Sequence, residues 1–368
     1  MYIWQQEQWP NFTWEYQNLA PLLTRAHSEQ GRLRGKMEAM GFEYQDEAVL
    51  RALTDDVIKS SEIEGEKLNS DQVRSSIARR LGMDIGGLIP ADRNVEGVVE
   101  MMLDATQNYG TPLTEDRLFS WHSALFPTGR SGMRIIMVGY WRPETSDPMQ
   151  VVSGSDRRKH IHYEAPPAAQ VPAEIQRFLA WFSEPNNIDP LLFAGLAHLW
   201  YVTIHPFEDG NGRIARAIAD MALARGEHNS QRSYSMSAQI RKELSAYYDT
   251  LEMTQKDTLN ITTWQKWFLN CLNHAFEDAH ERLGDALRKA KFWEHFARQP
   301  LNERQIKVIR RVMDNWEGKL TSSKWAKIAK CSQDTAGRDI KDLIERGALR
   351  KDPGGGRSTS YSIVFDQS

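Results

Sequence analysis

The sequence predicts a mainly α-helical protein with one small β-hairpin and a C-terminal module of helices closed by a second hairpin. Three observations predict it. Apolar residues recur at helical spacing through most of the chain, and Leu191 to Ile204 (LLFAGLAHLWYVTI) is apolar almost throughout, as in a helix buried on most sides. Runs that favour β structure (IIMVGYW, QVVS, HIHY) cluster within residues 132–163, broken by Pro143, Pro148 and Gly154. From Leu301 onward three short helical patterns precede two short strands around a glycine-rich tip.

Length and composition bound the reading. A chain of 368 residues is long enough for two or three domains. With 40% hydrophobic and 26% charged residues it has an ordinary globular composition, and a net charge of −3 gives no global basic field for nucleic acid. The two cysteines, Cys271 and Cys331, lack metal-ligand spacing and fit a reducing compartment. The start, MYIWQQEQWP, lacks the basic region and apolar run of a secretory signal, and no apolar stretch reaches membrane-spanning length. The expectation is a cytoplasmic protein with no membrane partner.

The elements follow in order. Tyr2, Trp4, Trp9, Pro10 and Phe12 form an aromatic arm, expected to pack on the domain or a partner. Trp14 to Met40 reads as a long polar helix. Gln45 to Glu66 is a helix with Val49, Leu50, Leu53, Val57 and Ile58 on one face, and Gly65 is placed to end it. Ser60 and Glu64 share a face one turn apart. A carboxylate at a helix C-terminus faces the negative end of the dipole, so Glu64 needs a compensating group such as an arginine. Glu62 and Glu66 read as solvated. Residues 68–82 and 94–109 read as helices, Thr114 caps a helix that runs to Leu125, and residues 171–182 form an amphipathic helix.

The helix from Leu191 stops at His205, because Pro206 drives the preceding residue out of helical geometry. Asp209-Gly210-Asn211-Gly212 is a tight loop, and a second helix runs from Gly212 to Arg225 with Gly226 as its stop. Residues 237–251 are helical and carry Tyr247 and Tyr248, which read as core residues or as a stacking platform. Residues 263–296 form a long helix with Trp264, Trp267, Phe268 and Leu272 on its apolar side.

The loop between the two central helices has the composition of a phosphate site. Glycines at 210 and 212 permit close approach, and the loop amides and helix N-terminus face an anion with positive partial charge. Arg213 and Arg216 share a helical face and lean back toward that end. Asp209 is a hard oxygen donor suited to Mg²⁺ held largely by phosphates. His205 can accept a proton near neutral pH. Phe207 points the other way, as a pin into the core. Any one of these residues fits a solvated turn; the whole string fits an anion site better.

The string His205-Pro-Phe-Glu-Asp-Gly-Asn-Gly-Arg-Ile-Ala-Arg216 matches His-x-Phe-x-Asp/Glu-Gly-Asn-Gly-Arg-x-x-Arg at every fixed position. It resembles the signature of Fic (filamentation-induced-by-cAMP) domains. The resemblance implies a Fic-type helical core that moves AMP from ATP to a serine, threonine or tyrosine hydroxyl of a protein. It implies His205 as base, Asp209 as the Mg²⁺ ligand, Gly210, Asn211, Gly212 and Arg213 as the phosphate cradle, and Arg216 as partner of the γ-phosphate. Ser60 to Gly65 resembles the family's inhibitory motif Ser/Thr-x-x-x-Glu-Gly/Asn, placed here in an N-terminal helix, so Ser60, Glu64 and Gly65 are its inhibitory residues. Gln150 to Tyr163 resembles the family's β-hairpin flap, with Val152, Ser153 and Gly154 over the nucleotide and target. Tyr247, Tyr248 and Gln255 fall where the adenine is held, although other members place Asn at the last position.

The implied organisation is an N-terminal helical region over 1–110, with the inhibitory helix at about 45–66, a catalytic core over 111–297 and a winged-helix domain over 301–368. That last segment holds 14 Lys and Arg against 9 Asp and Glu, compatible with DNA and equally with protein docking. The expected partners are ATP, Mg²⁺, a protein hydroxyl (the chain's own included) and a second copy in a homodimer. Two other functions stay open: removal of AMP, with Glu64 aligning water, and a nucleotide-sensing regulator that binds DNA. No G-x-x-x-x-G-K-[ST] string is present, so this is not a P-loop enzyme.

Overall fold

A computed structural model describes residues 1–83, 86–145, 147–153, 160–184, 186–315, 318–353 and 359–365. Gly154, expected over the nucleotide, lies outside the described residues. The chain divides into two compact units, Met1–His280 and Glu281–Ser368.

The first unit is helical. α1 (Tyr16–Glu38) and α2 (Phe42–Ile63) are followed by α3 (Ser70–Arg80), α4 (Arg93–Gln107) and α5 (Glu115–Leu125). The starts of the last three are set by their caps: Asn69, Asp92 and Thr114 accept the amides of Gln72, Val95 and Arg117. Two antiparallel pairs come next, β1 (Arg130–Ser131) with β2 (Arg134–Ile135), and β3 (Gln150–Ser153) with β4 (His160–Glu164). The second pair is the expected hairpin, with an irregularity between Val151 and Val152. Then come α6 (Val171–Ser183), α7 (Pro190–Ile204), α8 (Asn211–Glu227), α9 (Met236–Lys242), α10 (Leu244–Gln255) and α11 (Thr262–Ala297).

α7 is the core: every residue from Leu191 to Ile204 is buried, as its unbroken apolar run predicts. It packs on α6 and on α8. α8 does not stop at Gly226. It continues to Glu227 and ends at His228, which takes a left-handed conformation (φ 50°). Gly226 serves packing instead, since a Cβ there would stand 2.5 Å from the Pro190 Cβ. The single helix expected over 237–251 is two, broken at Glu243. The aromatic arm packs on its own domain. The Trp9 indole donates to Glu174 Oε2 at 2.9 Å, and the Trp4 indole donates to the Glu164 carbonyl at 2.8 Å, bracing β4.

The second unit takes the end of α11, then α12 (Glu303–Asn315), β5 (Leu320–Thr321), α13 (Ser322–Ala329), α14 (Gln333–Glu345), β6 (Leu349–Lys351) and β7 (Ser360–Ile363). The predicted helices and hairpin are present, and a third strand, β5, joins the hairpin in the order β5-β7-β6. Phe292, Phe296, Ile309, Trp325 and Leu343 build its core. Among the described residues no helix is long and apolar enough to cross a membrane.

Candidate functional site

The site forms where α7 ends and α8 begins. His205 caps α7 in the left-handed region (φ 51°, ψ 58°), a costly conformation for a residue with a Cβ. The Arg142 side chain helps to hold it there. Its Nε donates to the His205 carbonyl at 2.8 Å and its guanidinium also reaches the Pro166 carbonyl. The His205 Nδ1 donates to the Val202 carbonyl at 3.2 Å, which leaves Nε2 as the unprotonated nitrogen. Burial, with Arg142 nearby, pushes this imidazole down to about 4, so it is neutral at pH 7.

The loop is fixed from within. Asn211 accepts the Phe207 amide and donates to the Phe207 carbonyl, both at 2.9 Å. Its amide group therefore clasps the loop. Phe207 is fully buried and stacks on His122 with ring centroids 4.0 Å apart, the core pin its position implied. Gly210 caps α8 with φ 80°, and a Cβ there would stand 2.9 Å from the Phe126 ring. Asp209 accepts the Gly210 amide at 2.6 Å and the Ser131 hydroxyl. Each oxygen keeps a lone pair, so a single hard carboxylate beside the loop fits Mg²⁺ held mainly by phosphates.

Two arginines in the first turns of α8, Arg213 and Arg216, meet carboxylates at or just beyond the end of α2. Arg216 donates to Ser60 Oγ at 2.9 Å, to the Ser60 carbonyl at 3.0 Å and to Glu64 Oε1 at 2.8 Å. The Arg216 side chain is 2% exposed and that of Glu64 is 29% exposed. Burial alone would lower the Arg216 pKa, but the Glu64 carboxylate beside it holds it above its ordinary value. The compensating arginine that Glu64 required is Arg216, and Gly65 ends α2 with φ 82°. Glu66 departs from the solvated reading: its Oε2 accepts from Arg213 Nη1 at 2.7 Å. Arg213 also lies 4.9 Å over the Phe126 ring.

Glu64 stands where an anion belongs. A Cβ on Gly212 would meet Glu64 Oε1 at 2.3 Å, so the carboxylate rests on the bare backbone of the first turn of α8. Arg213 Nε and Arg216 Nη1 are buried and have no hydrogen-bond partner among the described residues.

A cavity of about 510 Å³ opens beside this turn, within the usual size of a small-molecule site. Its lining includes Glu64, His205, Gly212, Tyr247, Tyr248 and Gln255, together with Val152 and Ser153 of β3. Tyr247 is core as well as wall, with its hydroxyl 2.9 Å from His198 Nε2. Tyr248 is 41% exposed. Gln255 is buried and donates to Thr203 Oγ1 at 3.2 Å. Residues distant in the chain thus meet at one cavity. Sequence reasoning missed Arg142, His122, Ser131 and the pairing of Glu66. A lone arginine before a proline, a lone histidine and a loop serine carry no local signal of such contacts.

Residues 112–223 match the family model described as Fic/DOC family, and residues 2–83 match one described as Domain of unknown function (DUF4172). Curated relatives named Protein adenylyltransferase Fic, from Drosophila mojavensis and Drosophila grimshawi, are each 28% identical over 130 residues, which is 34% of this chain and 24% and 25% of theirs. The chain spans about a quarter of the length of these relatives. A crystal structure of a Fic family protein from Desulfovibrio desulfuricans G20 is 19% identical, with a TM-score of 0.53, over 95% of this chain and 97% of that one. A Fic domain containing signaling protein from Bacteroides thetaiotaomicron is 20% identical, with a TM-score of 0.50, over 73% of this chain and 97% of that one. At those identities the structures show likeness of fold alone.

Proposed function

The chain carries a Fic-family domain over residues 112–223, and from that premise we propose that it is a protein adenylyltransferase held back by Glu64. The observation that carries the proposal is the Arg216–Glu64 pair at the lip of a cavity that also holds His205. The α8 N-terminus, Arg213 and Arg216 receive the phosphates of ATP, and their two unpartnered buried nitrogens support this. Tyr248 offers its exposed face to the base. Among the described residues β3 pairs only with β4, so its other edge is free to take an extended segment of the target. His205 Nε2 accepts the proton of the target hydroxyl, whose oxygen attacks the α-phosphorus while pyrophosphate leaves. The charge of the bound phosphates raises the proton affinity of the buried imidazole toward the range a base needs. Asp209 would hold Mg²⁺, which when bound offsets phosphate charge. The chain's own work is positioning and electrostatics.

Glu64 competes for Arg216, since one guanidinium cannot give the same donors to a carboxylate and a phosphate. A second reading, removal of AMP from a modified protein, is favoured by the same carboxylate, because it faces the cavity and could align a water. Single-turnover assays with modified target separate the two.

The test is incubation with labelled ATP and Mg²⁺, followed by mass analysis of the chain and of added proteins. A gain of one AMP is expected. His205→Ala should lower transfer ~10²–10⁴-fold while ATP binding persists. Transfer by folded His205→Ala at the parent rate, or full transfer in excess chelator, overturns the assignment.

A further inference from the structure

Away from the phosphate loop, a different donor set gathers at the flap. His160 and His162 alternate along β4, so both side chains leave the same face of the strand. Across from them stands Glu252 of α10. His160 Nε2 lies 3.4 Å from Glu252 Oε1, and His162 Nδ1 is hydrogen-bonded to Glu252 Oε2. One ligand atom from each of the three residues lies within 4.8 Å of the others. We infer that His160, His162 and Glu252 form a zinc-type metal site that fastens the flap to α10 at the lip of the cavity.

The geometry suits such an ion. Zinc bonds of ~2.0–2.2 Å in a tetrahedron place neighbouring ligand atoms about 3.4 Å apart, a small rotamer adjustment from the observed spacing. Two imidazoles and one carboxylate favour Zn²⁺ over Mg²⁺, which takes oxygen ligands. The second nitrogen of His162, Nε2, lies 2.6 Å from Ser153 Oγ on the paired strand. With a metal on Nδ1, that nitrogen donates to the hydroxyl and fixes the ring, the usual outer support of a histidine ligand. Glu252 is ready as a ligand. Its two oxygens already face the two histidines, Oε1 toward His160 and Oε2 toward His162. Three protein ligands leave a fourth position for water.

Lys256 opposes the site. Its ammonium lies 2.6 Å from Glu252 Oε1 and would sit close to the ion. The side chain is 37% exposed on a flexible stem, so it can swing into solvent at a cost to affinity. The alternative is a carboxylate simply paired with two histidines and a lysine. Lys256 separates the two descriptions, because its removal strengthens a metal site and weakens an ion cluster.

The experiment is a titration of the chelator-stripped full chain with Zn²⁺ against a chromophoric competitor, with the thermal midpoint followed in parallel. The expected result is one Zn²⁺ per chain with a Kd of about 1 μM or tighter, and a midpoint raised by zinc. His160→Ala, His162→Ala and Glu252→Gln should each weaken binding at least ~10-fold. Lys256→Met should tighten it, and Asp209→Ala should leave it unchanged. The His160 side chain is 63% exposed, so its removal should spare the fold, and circular dichroism of the variant is the check. A titration of His160→Ala that overlays the parent overturns the site, as does weaker binding by Lys256→Met. The inference stands apart from the transfer reading: a chain that binds zinc but transfers no AMP overturns that reading and leaves this one.

Discussion

Glu64 and Glu66 are two residues apart and hold two different arginines of α8. Only the first was legible in the sequence, because a carboxylate on the wrong end of a helix dipole demands a partner and Ser60 shares its face. Glu66 lies beyond the helix end, and its partner is 147 positions away, so no local pattern could name it. The contact changes what is expected of substitution. Glu64→Gly frees Arg216, and the loss of a half-buried charged hydrogen bond (~1.5–3 kcal/mol) should speed adenylyl transfer roughly 10- to 100-fold. Glu66 is 46% exposed, so its pair is screened, and Glu66→Gly should raise the rate by only about two- to fivefold. Adding Arg216→Ala to Glu64→Gly should erase the gain. Initial rates at saturating ATP decide the matter. A Glu64→Gly chain no faster than its parent ends the autoinhibition proposal, and a Glu66→Gly chain at the parent rate makes Glu66 a surface acid after all.

At the scale of elements, the two central helices and the hairpin were legible because each carries a local signature: an unbroken apolar run, a proline stop and a β-favouring run. What joins them was not. Arg142 lies between the small β1-β2 pair and the flap, and it ties three separate segments through the His205 and Pro166 carbonyls and its own amide on the Pro206 carbonyl. The Gly226 stop failed for the same reason: a glycine ending an apparent helix and a glycine against Pro190 look alike until the partner is known. Arg142 acts on His205 in two ways, by fixing its backbone and by lowering its proton affinity. Arg142→Gln therefore has two readouts. Unsatisfied carbonyls should cost about 1–3 kcal/mol of stability. Loss of the positive charge should move the acid limb of the kcat/KM profile toward higher pH, because less repulsion opposes protonation of His205. A profile identical to the parent's, with stability reduced, would leave Arg142 a purely structural tie.

The whole molecule shows a pattern that neither residue nor element reveals. The excess of positive charge in residues 301–368 was plain from composition, yet α14 carries only Arg338 and Lys341 against Asp334, Asp339, Asp342 and Glu345. A segment's net charge does not say which face bears it. Burial of titratable groups is similarly invisible in sequence and sets how stability responds to pH. In the first unit, burial pushes His122 to about 4, His198 to about 3 and His205 to about 4. Each is neutral in the fold and binds a proton in the unfolded chain below its ordinary value of about 6.5. Their contribution is therefore complete above that value and is lost as pH falls toward the folded values. Asp56 of α2 runs the other way. Burial first, and then the Asp220 carboxylate, raise it to about 7, although Ser235 and Ser237 donate to it and Arg232 lies 3.9 Å away. A raised carboxyl contributes stability that is complete below its unfolded pKa and lost as pH rises through the folded one. Between pH 4 and 6.5 the two effects oppose each other: the three imidazoles, joined by His280, lose stability on acidification, and Asp56, joined by the buried Glu227, gains it. The thermal midpoint of the parent, followed by tryptophan fluorescence, should therefore fall as pH drops from 6.5 to 4.5. Asp56→Asn, which cannot take up the opposing proton, should fall more steeply, and His205→Ala less steeply. A parent midpoint that rises on acidification through this window, or an Asp56→Asn curve parallel to it, contradicts the assignment of these groups.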